Sequence, residues 1–209
     1  MKFYDCRTAP SPRRVRIFIA EKGIEIETVE VDLGSKEQLS SEFKKINPNC
    51  TVPVLLLDDG TMYTSTAGIR NYLEALHPTP SLMGRNAVER GVVADIQWRI
   101  EMEGQVAMAE ALRNSAPRMS GRALTGPFDY QQIPALAERG KLRVERFLNG
   151  VESLIGNKAY AAGDFFSVAD IDLLVVIDFA KWIKLELPKD AINAQRWYND
   201  VSSRESCKL

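Results

Sequence analysis

The chain of 209 residues contains only three cysteines and one histidine. Cys6, Cys50 and Cys207 are an odd number, lie far apart and form no C-x-x-C pair. This pattern argues against a disulfide framework, a zinc site and a dithiol redox centre. His77 is the only histidine, which argues against a histidine-rich metal site and against Ser-His-Asp hydrolysis. We therefore expect no metal site and no permanently bound cofactor.

The chain also lacks a large net charge and a long apolar run. Its formal net charge is -1, so no global basic field would attract nucleic acid or anionic lipid. The longest apolar run, LLVVI at 173–177, is far shorter than the roughly 20 residues of a membrane span. The N-terminal residues show no apolar core of a secretory signal. We expect a cytoplasmic protein with no nucleic-acid or membrane partner.

What is present is typical of an ordinary globular protein with a sizeable core, because 45% of the residues are hydrophobic and 26% are charged. Strand and helix patterns alternate at first and give way to helical patterns alone. We predict an α/β domain of βαβ-ββα order over residues 1–77, a linker rich in proline over 78–84, and an all-α domain over 85–209.

Local signals place the elements of the first domain. KFYDC and IEIETVEVDL are typical of strands, and RRVRIFIAEKG predicts a helix that ends at Gly23. In SKEQLSSEFKKIN, Ser35 and Gln38 match a capping box, which predicts a helix starting there. PVLLLDDGTMYT predicts a hairpin around Asp59-Gly60, and STAGIRNYLEAL predicts the closing helix.

Two patterns organise the helical domain. Val88, Val92, Ile96 and Ile100 recur every four residues, which predicts a helix there. SVADIDLLVVIDFAKWI at 167–183 is apolar on nearly every side, so we predict a central buried helix. The Ser-x-x-Asp spacing at its start resembles a capping box.

The stretch NPNCTVPVLLLDDGTMYTSTAG combines two features that suit a ligand. Pro53 cannot donate to a strand ladder, so it must lie at a strand end or an edge. If the Val52-Pro53 bond is cis, the backbone of Val52 turns away from the sheet and can pair with an extended ligand. The hydroxyl-rich helix start at 65–68 offers N–H groups and a positive dipole end. Together they predict a site for a peptide-like ligand with a carboxylate.

Five features of the chain resemble, in order and spacing, a cytosolic glutathione transferase of bacterial type. They are the N-P-x-x-x-V-P motif at 47–53, the Asp-Gly hairpin, the small or hydroxyl helix start, the His-Pro linker and the S-x-A-D-I motif at 167–171. The resemblance implies a thioredoxin-like N-terminal domain that binds glutathione. It also implies an all-α C-terminal domain that shapes a pocket for a small hydrophobic electrophile, and a homodimer. The implied activity is a detoxifying transfer of reduced glutathione, the co-substrate, through a stabilised thiolate.

Carried onto matching positions, the resemblance gives roles to single residues. Val52, before Pro53, would pair with the cysteinyl backbone of glutathione, and Ser65 and Thr66 would hold the γ-glutamyl carboxylate. Gln38 would contact the glycine carboxylate, although a capping role explains it equally well. The family usually has Glu-Ser or Gln-Ser where this chain has Ser-Thr, so the usual partner of the γ-glutamyl amino group is missing.

The group that stabilises the thiolate has several candidates. One hydroxyl donating to the sulfur, worth about 1.5 to 3 kcal/mol, would lower the thiol pKa by about 1 to 2 units. Alignment on RRVRIFIAEKG puts Ala9 in the usual serine slot and Ser11 in a slot held by Cys or Asn in relatives. We favour Ser11, with Cys6, Tyr4 and the backbone N–H groups of the helix start as alternatives.

Trp98, Met102 and Gln105 share helical spacing and are candidates for the electrophile pocket, although such a stripe also suits a helix core. Two other functions stay open at this point. The chain could be a glutathione-binding or protein-interaction scaffold with little transferase activity. It could also be a glutathione-dependent thiol-disulfide or peroxide reductase that uses Cys6.

Overall fold

The computed structural model describes all 209 residues, which form two compact units. The first unit comprises Met1–Pro80, Leu124–Asp129 and Leu209. The second comprises Ser81–Ala123 and Tyr130–Lys208. The short segment 124–129 therefore packs with the first unit, although the sequence analysis placed it in the helical domain.

The first unit contains one four-stranded mixed sheet with three α-helices, in agreement with the predicted thioredoxin-like domain. Strands β1 and β2 are parallel, whereas β1 with β3 and β3 with β4 are antiparallel, in the order β2-β1-β3-β4. The elements are β1 Lys2–Asp5, α1 Pro10–Glu21, β2 Glu27–Glu30, α2 Ser41–Ile46, β3 Val54–Leu56, β4 Met62–Tyr63 and α3 Thr66–Leu76.

The predicted end of α1 and the predicted hairpin are confirmed. After α1, Gly23 takes a φ of +62°, and its N–H donates to the carbonyl of Ala20. A residue with a side chain is disfavoured in that conformation, which explains why the helix stops at glycine. Gly60 turns the chain between β3 and β4, and the carboxylate of Asp59 accepts from the N–H of Thr61 at 2.8 Å.

The predicted helix start at Ser35 and Gln38 is wrong. The carboxylate of Asp32 accepts from the Ser35 N–H at 3.2 Å, and the Ser35 hydroxyl donates to the Asp32 carbonyl at 3.1 Å. These local bonds compete with helix formation. Gln38 instead lies in a 3₁₀ turn, Glu37–Leu39, and α2 begins after Ser40, whose hydroxyl accepts from the Phe43 N–H at 3.0 Å.

The second unit is all-helical, as predicted. Its α-helices are α4 Ala87–Arg99, α5 Val106–Ser115, α6 Pro134–Ile155, α7 Val168–Ala180 and α8 Ile192–Ser202. A π-helical turn, Ile100–Gln105, joins α4 to α5, and 3₁₀ turns occupy Pro117–Met119, Lys181–Ile183 and Glu205–Lys208. None of the helices combines the length and the apolar character that crossing a lipid bilayer requires.

Helix α7 is the buried centre of the second unit, and its predicted cap is present. The Ser167 hydroxyl and the Asp170 carboxylate form a capping box at its start. Asp170 is fully buried and also accepts from the Ala161 N–H at 2.7 Å and from the Trp197 ring N–H at 2.8 Å. Burial raises the pKa of Asp170, and these donors oppose that shift.

The predicted helix is present as α4, but the four residues of its repeat are not all buried. Val88 and Val92 are 77% and 41% exposed, while Val93 and Ile100 are buried. In the π-helical turn, Gly104 approaches other helices so closely that a β-carbon there would lie 2.9 Å from Val176. A side chain at position 104 would therefore clash with α7.

Candidate active site

Val52 and Thr66 lie at the same end of the sheet. In the antiparallel pair β3–β4, Leu55 is opposite Tyr63. The strand β3 begins at Val54 and β4 ends at Tyr63, so the chain enters β3 and leaves β4 at this one end. The two segments predicted to hold glutathione therefore both adjoin the same end of the sheet.

The loop that leads to α1 and Ser11 starts at this same end. Tyr4 is opposite Val54 in the antiparallel pair β1–β3, so β1 ends where β3 begins. The chain then leads directly into the N-terminus of α1. Since β2 is parallel to β1, the segment 31–53 that contains Gln38 also leaves and re-enters the sheet there. The sheet topology thus gathers the predicted glutathione contacts at one end of the first unit.

The backbone of Val52 is available to a ligand. The Val52-Pro53 peptide bond is cis, and β3 begins only at Val54. The N–H and the carbonyl of Val52 make no backbone hydrogen bond within the chain. The loop before it is held by Asn47, whose side-chain amide donates to the Thr51 carbonyl at 2.8 Å. A fixed strand end with open backbone groups can pair with an extended peptide.

The N-terminus of α3 offers a small anion site. Ser65 caps the helix, and its hydroxyl oxygen accepts from the Gly68 N–H at 3.0 Å. The Ile69 N–H donates to the Ser65 carbonyl, so the N–H groups of Thr66 and Ala67 are the ones that have no partner in the chain. Two adjacent free N–H groups at the positive end of a helix suit a carboxylate.

Gln38 has no structural partner for its amide oxygen. This atom is buried and makes no hydrogen bond, although the residue as a whole is partly exposed. The capping role that sequence reasoning gave to Gln38 is absent, because the helix cap is Ser40. The contact of Gln38 with the glycine carboxylate therefore stays a prediction, and it would use the amide N–H₂ group, because the amide oxygen and a carboxylate both accept hydrogen bonds.

Ser11 lies at the second position of α1, beside two prolines. Pro10 and Pro12 have no N–H group, and the Arg13 N–H donates to the carbonyl of Ala9. The Ser11 N–H is therefore the one unpartnered backbone donor at this helix start. Ser11 as a residue is partly exposed, and its hydroxyl accepts from the guanidinium of Arg14 at 3.3 Å.

The two alternative side chains have different surroundings: Cys6 is buried, whereas Tyr4 is partly exposed like Ser11. Cys6 is only 3% exposed, and its sulfur lies 3.4 Å from the hydroxyl of Thr8. The ring of Tyr4 packs edge-to-face against Phe43 and lies against the apolar cluster of Val31, Phe43 and Val54. Neither side chain extends from the start of α1 as Ser11 does.

The candidate electrophile residues lie on the second unit. Trp98 and Met102 are 66% and 40% exposed, so they are surface residues rather than part of the helix core. Gln105, which closes the π-helical turn, is buried, and its amide oxygen has no hydrogen-bond partner. Turns of this kind frequently mark functional positions in helices.

Sequence reasoning missed one segment next to the site. Residues 124–129 pack with the first unit, and a β-carbon on Gly126 would lie 3.9 Å from the carbonyl oxygen of Asn49. Asn49 is three residues before Val52. The segment carries no strand or helix pattern, so its position depends on the fold and had no signal in the sequence.

A separate cavity of 520 Å³ lies at the other edge of the sheet. It is lined by Asp5, Arg7, Arg16, Thr28 and Glu30. Arg16 donates twice to the buried carboxylate of Asp5, at 2.7 Å each, and Glu30 accepts from the Arg7 N–H. None of the predicted glutathione contacts lines this cavity.

Comparison with known proteins identifies the family of this chain. Residues 8–76 match the glutathione S-transferase N-terminal domain, and residues 120–205 match the C-terminal domain. Glutathione S-transferase 2 of Saccharomyces cerevisiae is 32% identical, covering 100% of this chain and 88% of that protein. A glutathione S-transferase domain-containing protein of Marinobacter aquaeolei is 31% identical with a TM-score of 0.89, covering 99% and 100% of the two chains. A class Gtt2 glutathione S-transferase of Vibrio parahaemolyticus is 31% identical with a TM-score of 0.83, covering 100% and 96%. The chain belongs to the glutathione S-transferase family.

Proposed function

We propose that this protein conjugates reduced glutathione to small hydrophobic electrophiles. The observation that carries the proposal is the pairing of two open backbone sites at one end of the sheet. One is the backbone of Val52, and the other is the N-terminus of α3 at Thr66 and Ala67. A tripeptide with a free backbone and a terminal carboxylate fits both, and the family membership points to glutathione.

Each predicted residue has a role in this proposal. Val52, fixed by Pro53, pairs with the cysteinyl backbone of glutathione. The Thr66 and Ala67 N–H groups, with the hydroxyls of Ser65 and Thr66, hold the γ-glutamyl carboxylate. The amide of Gln38 binds the glycine carboxylate. Holding the tripeptide at several points places its sulfur in one position, which offsets part of the entropy of bringing two reactants together.

The reaction proceeds through the glutathione thiolate. Ser11 donates its N–H and its hydroxyl to the sulfur, so the thiol loses its proton to solvent at a lower pH than free glutathione does. The thiolate attacks an electrophilic carbon and forms a C–S bond with its electron pair. In a substitution the leaving group departs with the electrons of its bond, and in an addition the neighbouring atom takes a proton.

The two units have different roles in this proposal. We propose that residues 1–77 bind glutathione and that residues 85–209, joined through the linker 78–84, shape the electrophile pocket with Trp98 and Met102. The exposed apolar residues Val88 and Val92 on α4 suit a contact between two copies in a cytoplasmic homodimer that removes toxic electrophiles. The burial of Cys6 disfavours a reductase that attacks with that thiol.

The proposal is tested by isothermal titration with reduced glutathione at pH 7. We expect binding in the micromolar to low-millimolar range. Thr66→Ala should bind about tenfold more weakly, because a hydrogen bond to a charged group is worth about 1.5 kcal/mol or more. Thr28→Ala is the matched control, since its hydroxyl donates within an exposed edge strand at 3.2 Å to the Ile26 carbonyl.

The same samples are then assayed for turnover with a generic aryl halide. Binding together with turnover supports the transferase. Glutathione binding without turnover on any electrophile of a broad panel would indicate a binding scaffold instead. Absence of glutathione binding by the wild type contradicts the proposal altogether.

A further inference from the structure

Three arginines follow the start of α1, and they have different surroundings. Arg16 is bound to the buried carboxylate of Asp5, which balances its charge locally. Arg13 is partly exposed. Arg14 is only 4% exposed, and its guanidinium donates to the hydroxyl oxygen of Ser11 at 3.3 Å. Arg14 is therefore the arginine that reaches back to the start of the helix.

The contact of Arg14 is with Ser11, the one residue that presents hydrogen-bond donors at the start of α1. Pro10 and Pro12 remove two of the N–H groups that a helix start normally offers. What is left to face an anion is the N–H and the O–H of Ser11. The serine oxygen has two lone pairs and one proton. When a guanidinium occupies a lone pair, the serine proton must point away from the guanidinium.

We propose that Arg14 is a positioning residue for the glutathione thiolate: it holds the Ser11 hydroxyl with its proton directed toward the sulfur. This inference rests on the proposed function and on Ser11 as the thiolate donor. Arg14 gains and loses no proton and forms no bond to the substrate. Its effect reaches the sulfur through the serine oxygen.

Two physical effects follow from the contact. A hydroxyl that cannot rotate is already oriented for the thiolate, so no ordering entropy is lost when the sulfur arrives. A hydroxyl that accepts from a cation is also polarised and becomes a stronger donor, because hydrogen bonds in a chain reinforce one another. Both effects favour the thiolate over the thiol and lower the pKa of bound glutathione.

The test measures that pKa directly, from the ultraviolet absorbance of the thiolate in the enzyme–glutathione complex as a function of pH. Ser11→Ala should raise the pKa of the bound thiol by about 1 to 2 units, the equivalent of one hydrogen bond to a charged group. Arg14→Met should raise it by about half as much. The double variant should match Ser11→Ala alone, because Arg14 acts through the serine.

Two further variants complete the experiment. Arg13→Met is the matched control: it removes the same charge from the neighbouring position, and we expect no change in the pKa of the bound thiol. Arg14→Lys keeps the charge but loses the fixed geometry of the guanidinium, so we expect an intermediate pKa. If Arg14→Met fails to fold, Arg14→Lys and its combination with Ser11→Ala carry the same comparison.

Each outcome has a clear meaning. If Arg14→Met raises the pKa of the bound thiol equally in the wild type and in the Ser11→Ala background, the charge of Arg14 acts directly on the sulfur. That result would overturn the positioning role. An unchanged pKa in Arg14→Met or in Ser11→Ala, with glutathione still bound in titration, overturns this inference and leaves the proposed function standing. Loss of glutathione binding by the wild type would instead remove the proposed function itself.

Discussion

The buried ammonium of Lys22 gives the sharpest prediction about stability. It follows α1 directly, and its side chain has no exposed surface. Its ammonium lies 2.5 Å from the carboxylate of Glu74 on α3, and it donates to the carbonyls of His77, at 2.8 Å, and of Pro80. One side chain therefore joins the end of α1 to the end of α3 and to the chain that follows.

The expected cost of Lys22→Met is about 3 to 5 kcal/mol, the range for removing one partner of a buried ion pair. The carboxylate of Glu74, only 12% exposed, loses its lysine, and two carbonyls lose a charged donor. A domain of this size loses about 2 to 4 °C per kcal/mol, so the melting temperature should fall by about 6 to 20 °C. The methionine keeps most of the apolar stem, so little of this loss comes from packing.

Thermal unfolding followed by circular dichroism measures the effect. Lys2→Met is the matched control, because Lys2 pairs with Glu27 at 2.8 Å on the surface, where the two side chains are 49% and 59% exposed. Such a pair contributes about 1 kcal/mol at most. Glu74→Gln in the Lys22→Met background should recover part of the loss. Equal melting temperatures of Lys22→Met and Lys2→Met would refute the reasoning.

Three further substitutions in the second unit, with Gly150→Ala as a control for the last, test its packing and its charges by thermal unfolding. Burial raises the pKa of Glu110, but the hydrogen bonds and charges of Arg139 and Arg143 outweigh this effect and leave it below the usual 4.5. Glu110→Gln should therefore destabilise at pH 7, and its difference from the wild type should shrink as the pH falls below 4.5; a constant difference would contradict this. Gln105→Met removes a buried amide oxygen without a partner and should raise the stability by about 1 kcal/mol, so a lower melting temperature would count against it. Gly140→Ala would put a β-carbon 2.5 Å from the backbone of α5 and should cost about 1 to 3 kcal/mol, whereas Gly150→Ala on the same helix, with its nearest neighbour at 3.8 Å, should be neutral or stabilising.

Local sequence signals were sufficient where the partner atoms lie within a few residues. The Gly23 helix end, the Asp59-Gly60 turn and the Ser167 capping box each depend on bonds made inside one turn of chain. The conformations of such residues are set by their own backbone and nearest neighbours. They could therefore be predicted without knowing the rest of the fold.

The start of α2 was wrong because two local signals competed. Ser35 and Gln38 have the spacing of a capping box. Ser40 is an equally good cap, because its hydroxyl can accept from the N–H of Phe43, three residues later. Asp32 decides between them, since its carboxylate binds the N–H groups of Gly34 and Ser35 and holds them in a turn. Asp32 is plain in the sequence, but the sequence reasoning did not consider that its carboxylate can bind N–H groups within the next three residues.

The repeat of Val88, Val92, Ile96 and Ile100 indicated a helix but not which side of it is buried. Val88 and Val92 are exposed, and Val93 and Ile100 are buried. Because a helix has 3.6 residues per turn, each step of four residues drifts by about 40° around the axis, so a strict four-residue repeat leaves one face. Val93 and Ile100 are seven residues apart, close to two full turns, and therefore share a side of the helix.

The candidate active site combines both situations. The antiparallel pairing of β3 and β4 puts the segments of Val52 and Thr66 at one end of the sheet, and this pairing follows from the hairpin turn that the sequence already predicted. The proposed thiolate donor had no such signal, because the family alignment puts Ala9 in the serine slot. The prolines on either side of Ser11 were the informative feature: by removing their own N–H groups they leave Ser11 as the donor that an anion meets at the start of α1. This feature of the helix start can be read from the sequence without any alignment, and it favours Ser11 among the candidates for the thiolate donor.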